Sequence, residues 1–262
     1  MSQRGIRATA SELGPRAGFG AAVAAVYQGQ LARARVARAP LLFVATLQSL
    51  GLLVLLRGVV DEGSAAEKQQ IVAGAVVLVV AFVGLNLLAQ RVGQLRASGG
   101  LDYYAALPTP PSAVVLGTAA SYASFTVPGA VLVSYVGCLL YDLPLGRLWL
   151  LAPVLIVAGA VLAGLGALLG LLAPRPETAT VLGQLGMTLV LFLGLVREER
   201  MPAALRLVRA AVPSSYAVDA LREAFRPTVR AGAVVGNLAI CAAAAVVTLS
   251  LAAMAYRRAV RR

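Results

Sequence analysis

Six long apolar runs, none containing Asp, Glu, Lys, Arg or His, constrain this 262-residue chain more than any motif does. They cover residues 40–56, 71–90, 113–140, 148–173, 180–196 and 233–256. A helix of about twenty apolar residues crosses the hydrocarbon core of a bilayer, because lipid offers no partners to unpaired backbone groups. Hydrophobic residues make up 60% of the chain and charged ones 13%. A soluble domain is roughly 45–50% apolar and about 25% charged, so this excess must face lipid. Strand alternation is absent, which excludes a β-barrel. The expected fold is an all-α polytopic membrane protein with six transmembrane helices. A polar tail over residues 1–19 precedes a six-span domain over residues 20–262.

The net charge is +12, and 22 of the 23 basic residues are arginine. They flank the apolar runs, where they set topology, so nucleic acid is not an expected partner and membrane lipid is. With the N-terminus in the cytoplasm, thirteen basic residues and three acids (Glu12, Asp102 and Glu177) lie inside. The two short outer loops then carry only three basic residues, Arg57, Lys68 and Arg147, the other seven outside falling in residues 197–232. Both termini are therefore expected in the cytoplasm. Residues 1–16 are polar and lead into no short apolar core with a cleavage site, so no cleaved signal peptide is expected. Cys138 and Cys241 both sit in apolar runs and read as small buried hydrophobes rather than a disulfide.

Three segments outside the spans carry the remaining information. Residues 18–39 mix alanine and valine with Tyr27, Gln28, Gln30, Arg33, Arg35 and Arg38. A helix here would lie along the inner surface as an interfacial helix, the alternative being a charged, solvated leader. In residues 91–112, Gly99 and Gly100 break the helix that continues from the second span. A short helix over 101–107, stopped by Pro108, would then present Asp102, Tyr103 and Tyr104, a surface suited to protein docking; a plain loop has the same spacing. Residues 197–232 are too long for a turn and are divided by Pro202, Pro213 and Pro227. Two short helices are expected, over 203–212 and 214–225. Leu205, Val208 and Val212 oppose Arg206 and Arg209 on the first, and Ser214 and Ser215 are candidate N-caps of the second. The pair either folds back toward the bilayer against protein or lies flat on the outer surface.

Within the spans, Gly166 and Gly170 form a GxxxG pair that suits close packing inside the bundle or at a subunit interface. Gln48, Asn86, Gln184, Asn237, Ser121, Tyr122, Ser124 and Thr126 are the polar residues of the spans, and each is expected to bond between helices. The chain has no histidine, which removes HExxH metal sites and Ser–His hydrolases. Its single lysine, Lys68, lies between Glu67 and Gln69, so no Walker A sequence is present. No catalytic, cofactor-binding or metal-ligating residue is expected. Spans without ionisable groups argue against proton antiport and suit hydrophobic or amphiphilic cargo.

The order of these pieces resembles the permease subunits of type-2 ABC exporters, of the multidrug or antibiotic-export kind. The resemblance runs from about Gly20 to the end. It rests on hydropathy and two stretches, GGLDYYAALPTPPSAVVLG from Gly99 to Gly117 and PSSYAVDALR from Pro213 to Arg222. It implies that Gly100, Leu101, Asp102, Tyr103 and Tyr104 form the coupling helix that docks a separate ABC ATPase. It likewise implies that Pro213, Tyr216, Asp219 and Arg222 belong to an external re-entrant segment between spans five and six. Two copies of the ATPase would bind ATP and Mg, this chain holding no cofactor. A second permease would complete the pathway, as a homodimer or a related heterodimer, in the inner or plasma membrane of a bacterium. The stretch from Glu198 to Met201 departs from the family's apolar end of span five. A non-transporting membrane scaffold or assembly factor is the alternative from another class.

Overall fold

The computed structural model describes residues 18–33, 35–58, 63–106, 109–196, 201–226 and 228–260, and among these it is helical with no strand. The described residues include six helices long and apolar enough to cross a membrane: Pro40–Arg57, Ala65–Ala97, Pro111–Leu140, Leu145–Leu172, Pro176–Leu195 and Ala231–Val260. Each extends past its apolar core. The second span reaches further than residues 71–90 because a capping box starts it early. Ser64 Oγ accepts from the Glu67 amide, and the Glu67 carboxylate accepts from the Ser64 amide at 3.0 Å.

That span comprises α3 (Ala65–Ala81), a π-helical turn (Phe82–Leu87) and α4 (Leu88–Ala97). Every residue from Gln69 to Ala81 is buried, as expected of a helix that is apolar all round. Its neighbours are α2 (Arg35–Arg57), α6 (Pro111–Leu140), α8 (Pro176–Leu195) and α10 (Pro213–Ala224). The second central helix is α7 (Leu151–Leu172), entered through a 3-10 turn at Leu145–Leu150. It lies against α4, α6 and α11 (Ala231–Val260). Pro128 is accommodated inside the continuous α6, which ends where Asp142 turns left-handed at φ 55°.

Lipid tails are as apolar as valine, so helices in a bilayer are held by close packing and hydrogen bonds rather than by transfer from water. The glycines of α7 supply the close packing. A Cβ on Gly166 would stand 2.7 Å from the carbonyl oxygen of Leu85. One on Gly170 would stand 2.5 Å from that of Ala89. The GxxxG pair thus faces the π turn and α4 of its own chain. Outer helices turn large apolar residues outward, among them Phe43 and Leu55 of α2, Phe192 of α8 and Val246 of α11. An apolar exterior on this scale is a lipid-facing surface.

The N-terminal helix α1 (Phe19–Arg33) packs on α6. Ala22, Val26 and Gln30, four residues apart, form its buried face. Val23 and Val26 fill the space above Gly117, and Tyr27 Oη donates to Ser124 Oγ at 3.2 Å. Arg33 closes α1, while Arg35 and Arg38 lie in the first turns of α2. Their side chains fall outside the described residues, as do residues 1–17 of the expected tail.

Replacing Gly170 with alanine should lower the thermal unfolding transition in detergent, since overpacking costs about 1–3 kcal/mol. Gly236→Ala, where a Cβ would meet nothing within 4 Å, should leave the transition unchanged or raise it slightly.

Candidate functional site

At one end of the bundle, α4 gives way to the short helix α5 (Gly100–Ala105). The reversal needs Gly99, whose φ of +69° lies in the left-handed region that a side chain disfavours. Gly100 sits so close to Leu95 that a Cβ would approach its Cδ2 to 2.7 Å, and α5 thereby doubles back on the end of α4. Leu101 and Tyr104, three residues apart, point inward and are buried; Asp102 and Tyr103 point outward. The inward pair joins a cluster with Val26 of α1, Val92 of α4, Val115 of α6 and Tyr256 of α11. The Tyr104 hydroxyl accepts from Gln30 Nε2 of α1 at 2.9 Å. Tyr103, 57% exposed, meets the Tyr104 ring edge-on, with centroids 5.5 Å apart. The expected helix over 101–107 therefore starts one residue earlier, and Leu107 and Pro108 lie outside the described residues. Four helices, α1, α4, α6 and α11, converge beneath this one. It is a fixed protrusion rather than a loop.

At the opposite end, α9 (Ala203–Ala211) and α10 follow each other with Val212 between. Helix α10 is buried among α3, α7, α8 and α11 through Ala217, Val218, Ala220, Leu221 and Ala224. Pro213 occupies its first turn, since a proline lacks only a donor that has no intrahelical partner there. That displaces Ser214 and Ser215 from the expected capping position into the helix, where both are buried and neither caps it. Pro213, Tyr216, Asp219 and Arg222 recur every three residues, so each is rotated by about 60° from the one before. Tyr216 Oη donates to the Ala210 carbonyl at 2.9 Å, and Asp219 pairs with Arg209 at 2.6 Å, both on the α9 side. Arg222, further round, reaches Gln70 Oε1 of α3 at 3.5 Å.

Arg209 thus departs from the amphipathic reading of its helix. It is 7% exposed and turned onto Asp219, whereas Leu205 and Leu207 face outward. Gln69 and Gln70 are contributors that the apolar runs concealed. Gln70 Nε2 donates to the Gly194 carbonyl of α8 at 2.6 Å, and Gln69 Nε2 to the Phe225 carbonyl at 3.3 Å. Their signal was a polar pair immediately before an apolar run. Arg147 donates to the Arg226 carbonyl, and Arg226 pairs with Glu223 at 3.0 Å.

Between the two ends, the π turn carries Asn86, whose Nδ2 donates to Gln184 Oε1 of α8 at 3.2 Å while its Oδ1 accepts from Gln90 at 2.9 Å. This is the interhelical bonding expected of such residues, and π turns often mark functional positions. Ser121, Ser124 and Thr126 bond back to carbonyls three residues earlier in α6, and Ser124 also accepts from Tyr27 of α1. Cys138 and Cys241 are free and buried.

The ABC-2 type transporter model matches residues 23–225, a stretch containing both helix constellations. The chain belongs to the ABC-2 type transporter family. No curated protein matches it. This ABC-2 chain is accordingly a multi-pass transmembrane permease of an ABC transporter, and the matched domain is not a catalytic one. Family membership carries with it an ABC ATPase partner and a dimeric arrangement in general terms. The match begins within α1 and ends just after α10, so α11 completes the bundle beyond it.

The buried pair gives a direct test of what fixes α9 to α10. Asp219→Ala should remove the acidic partner of Arg209 and cost about 3 kcal/mol, the usual penalty for breaking a buried ion pair from one side. The double variant Arg209→Met with Asp219→Leu should recover most of that loss in the same thermal unfolding measurement.

Proposed function

We propose that this permease exports hydrophobic or amphiphilic cargo, driven by ATP hydrolysis on a separate ABC ATPase that docks on α5. The observation that carries the reading is the division of labour within that six-residue helix. Asp102 and Tyr103 are presented outward, while Leu101 and Tyr104 are anchored where α1, α4, α6 and α11 meet. A partner pressing on such a protrusion acts on four helices at once. Gly100 supports the same role by allowing close approach to α4. Two copies of the ATPase, each holding ATP and Mg, engage two permeases, either identical or related.

The remaining assignments follow this orientation. The positive-inside pattern puts both termini and α5 on the cytoplasmic side of a bacterial inner or plasma membrane. Helix α1, with Arg33, Arg35 and Arg38 at its junction with α2, is the interfacial helix of that side. On the outer side α9 and α10 form the external segment, with α10 re-entrant. Its burial against four helices supports this, because backbone outside the spans tolerates membrane depth only when covered by protein. The pathway carries no ionisable group of its own in the apolar runs, which favours cargo that partitions from lipid.

Extraction of the permease from native membranes should bring a P-loop ATPase with it. The combined variant Asp102→Arg and Tyr103→Ala should lower that recovery at least ten-fold without shifting the thermal unfolding of the permease. Failure to recover any P-loop ATPase, or recovery indifferent to both substitutions, would reject the docking role. Orientation has its own check. A cysteine at Ala65 should react with an impermeant maleimide in intact cells, and one at Gly99 only after permeabilisation.

A further inference from the structure

We infer that the groove between the α5-side ends of α7 and α11 is a binding site for an anionic phospholipid. The groove encloses about 450 Å³ and has Leu168, Leu172, Leu251 and Met254 along its apolar wall. Leu172 and Met254 are 62% and 47% exposed, so the wall is open to whatever surrounds the bundle. Arg96 of α4 and Arg258 of α11 border the same groove, and among the described residues no acidic one lines it. Arg96 is held in place: its Nη1 donates to the carbonyls of Leu171 at 2.6 Å and Ala173 at 2.8 Å, at the C-terminal end of α7. Those two bonds use two of its five guanidinium donors.

An apolar wall that ends in two arginines matches a molecule with acyl chains and a phosphodiester head. Arginine recognises phosphate through paired N–H groups, and each basic residue near an anionic leaflet adds to the attraction. Inorganic phosphate would leave the leucines uncovered. A second copy of the chain docked groove to groove would set Arg96 and Arg258 against their own counterparts, which like-charge repulsion opposes. The lipid therefore fits both halves of the site. Its assignment to the cytoplasmic leaflet rests on the proposed orientation; the binding itself does not.

The test uses the purified full chain carrying Trp149→Phe, which removes the single native tryptophan, and Met254→Trp as a reporter in the groove. The protein is reconstituted in phosphatidylcholine vesicles containing acyl-brominated phosphatidylglycerol or acyl-brominated phosphatidylcholine in both leaflets. Brominated phosphatidylglycerol should quench the reporter with a binding ratio about twenty-five-fold above that of brominated phosphatidylcholine, about five-fold for each of the two arginines. Arg258→Gln should lower the ratio about five-fold, and Arg258→Lys should keep most of the preference. Added inorganic phosphate should leave the quenching unchanged. Equal quenching by the two lipids, a preference undiminished by Arg258→Gln, or relief by inorganic phosphate would overturn the site. Absence of quenching by either lipid would place protein over the groove and overturn it equally. Because both leaflets carry the lipid, these outcomes do not depend on topology or on the ATPase, and a failure here leaves the docking reading standing.

Discussion

Backbone-distance contact between α7 and the second span is the constraint around which the bundle is arranged. Gly166 faces the carbonyl of Leu85, and Gly170 that of Ala89, with a side chain excluded at both. Further along the same helix, Gly159 lies against Ala123 of α6 and Gly164 against Thr248 of α11. One helix with glycine at four of its contact points thus draws three others inward. In a bilayer this matters more than apolar content, since exchanging lipid for a leucine side chain gains little, whereas shape complementarity between helices gains dispersion on every contact. Of the six spans, those in α2 and α11 are the most exposed.

Polar groups within such a bundle must find partners in the protein, and their placement fixes what packing alone leaves loose. Gln69 and Gln70 satisfy carbonyls at Phe225 and Gly194, sites where helices end and backbone acceptors are free. Arg96 does the same for α7 at the other end, and Tyr141 Oη adds a bond to the Leu53 carbonyl of α2 at 2.9 Å. These side chains all reach across to a different helix, so each bond both meets a local need and sets a register between elements. The Arg209 and Asp219 pair belongs to this class, with the difference that its value lies in orientation. A buried ion pair stabilises little compared with an apolar contact of the same shape, but it permits few alternative arrangements of α9 over α10.

The spans were legible because charge-free runs of membrane-crossing length leave one reading, and the glycine break at Gly99 was legible because only one residue type takes a left-handed turn without strain. Helix ends were less so. The apolar cores located the spans, but Ser64, Pro111 and Pro176 started the helices earlier than hydropathy alone implies. Ser214 and Ser215 misled because a serine before an apolar run is a good cap only when no proline has already opened the helix. Arg209 misled for a broader reason. Periodicity within one helix separates two faces but does not say which is turned to protein, and here the arginine found an acid on the next helix while leucines turned outward. Gln30 was visible as a polar residue in an alanine-rich segment, yet its partner Tyr104 lies 74 residues away, a distance no local pattern spans.

The second span joins these observations into a mechanical arrangement. It is a 33-residue helix, about 50 Å long, carrying α5 at one end and holding α10 at the other through Gln69 and Gln70. A straight helix of that length transmits displacement as a rod. This one contains a π turn at Phe82–Leu87, where the extra residue per turn weakens the backbone ladder, and the turn is clasped by α7 on one side and by Gln184 of α8 on the other. Motion applied through α5 would therefore meet its most compliant point in the middle of the bundle. There the α7 glycines permit sliding without side-chain interlock, while Asn86 offers α8 a hydrogen bond that can be exchanged. Compliance at that point, rather than rigidity throughout, would let the α5 end shift, as the proposed docking role requires, without pulling α10 directly out of its four-helix seat.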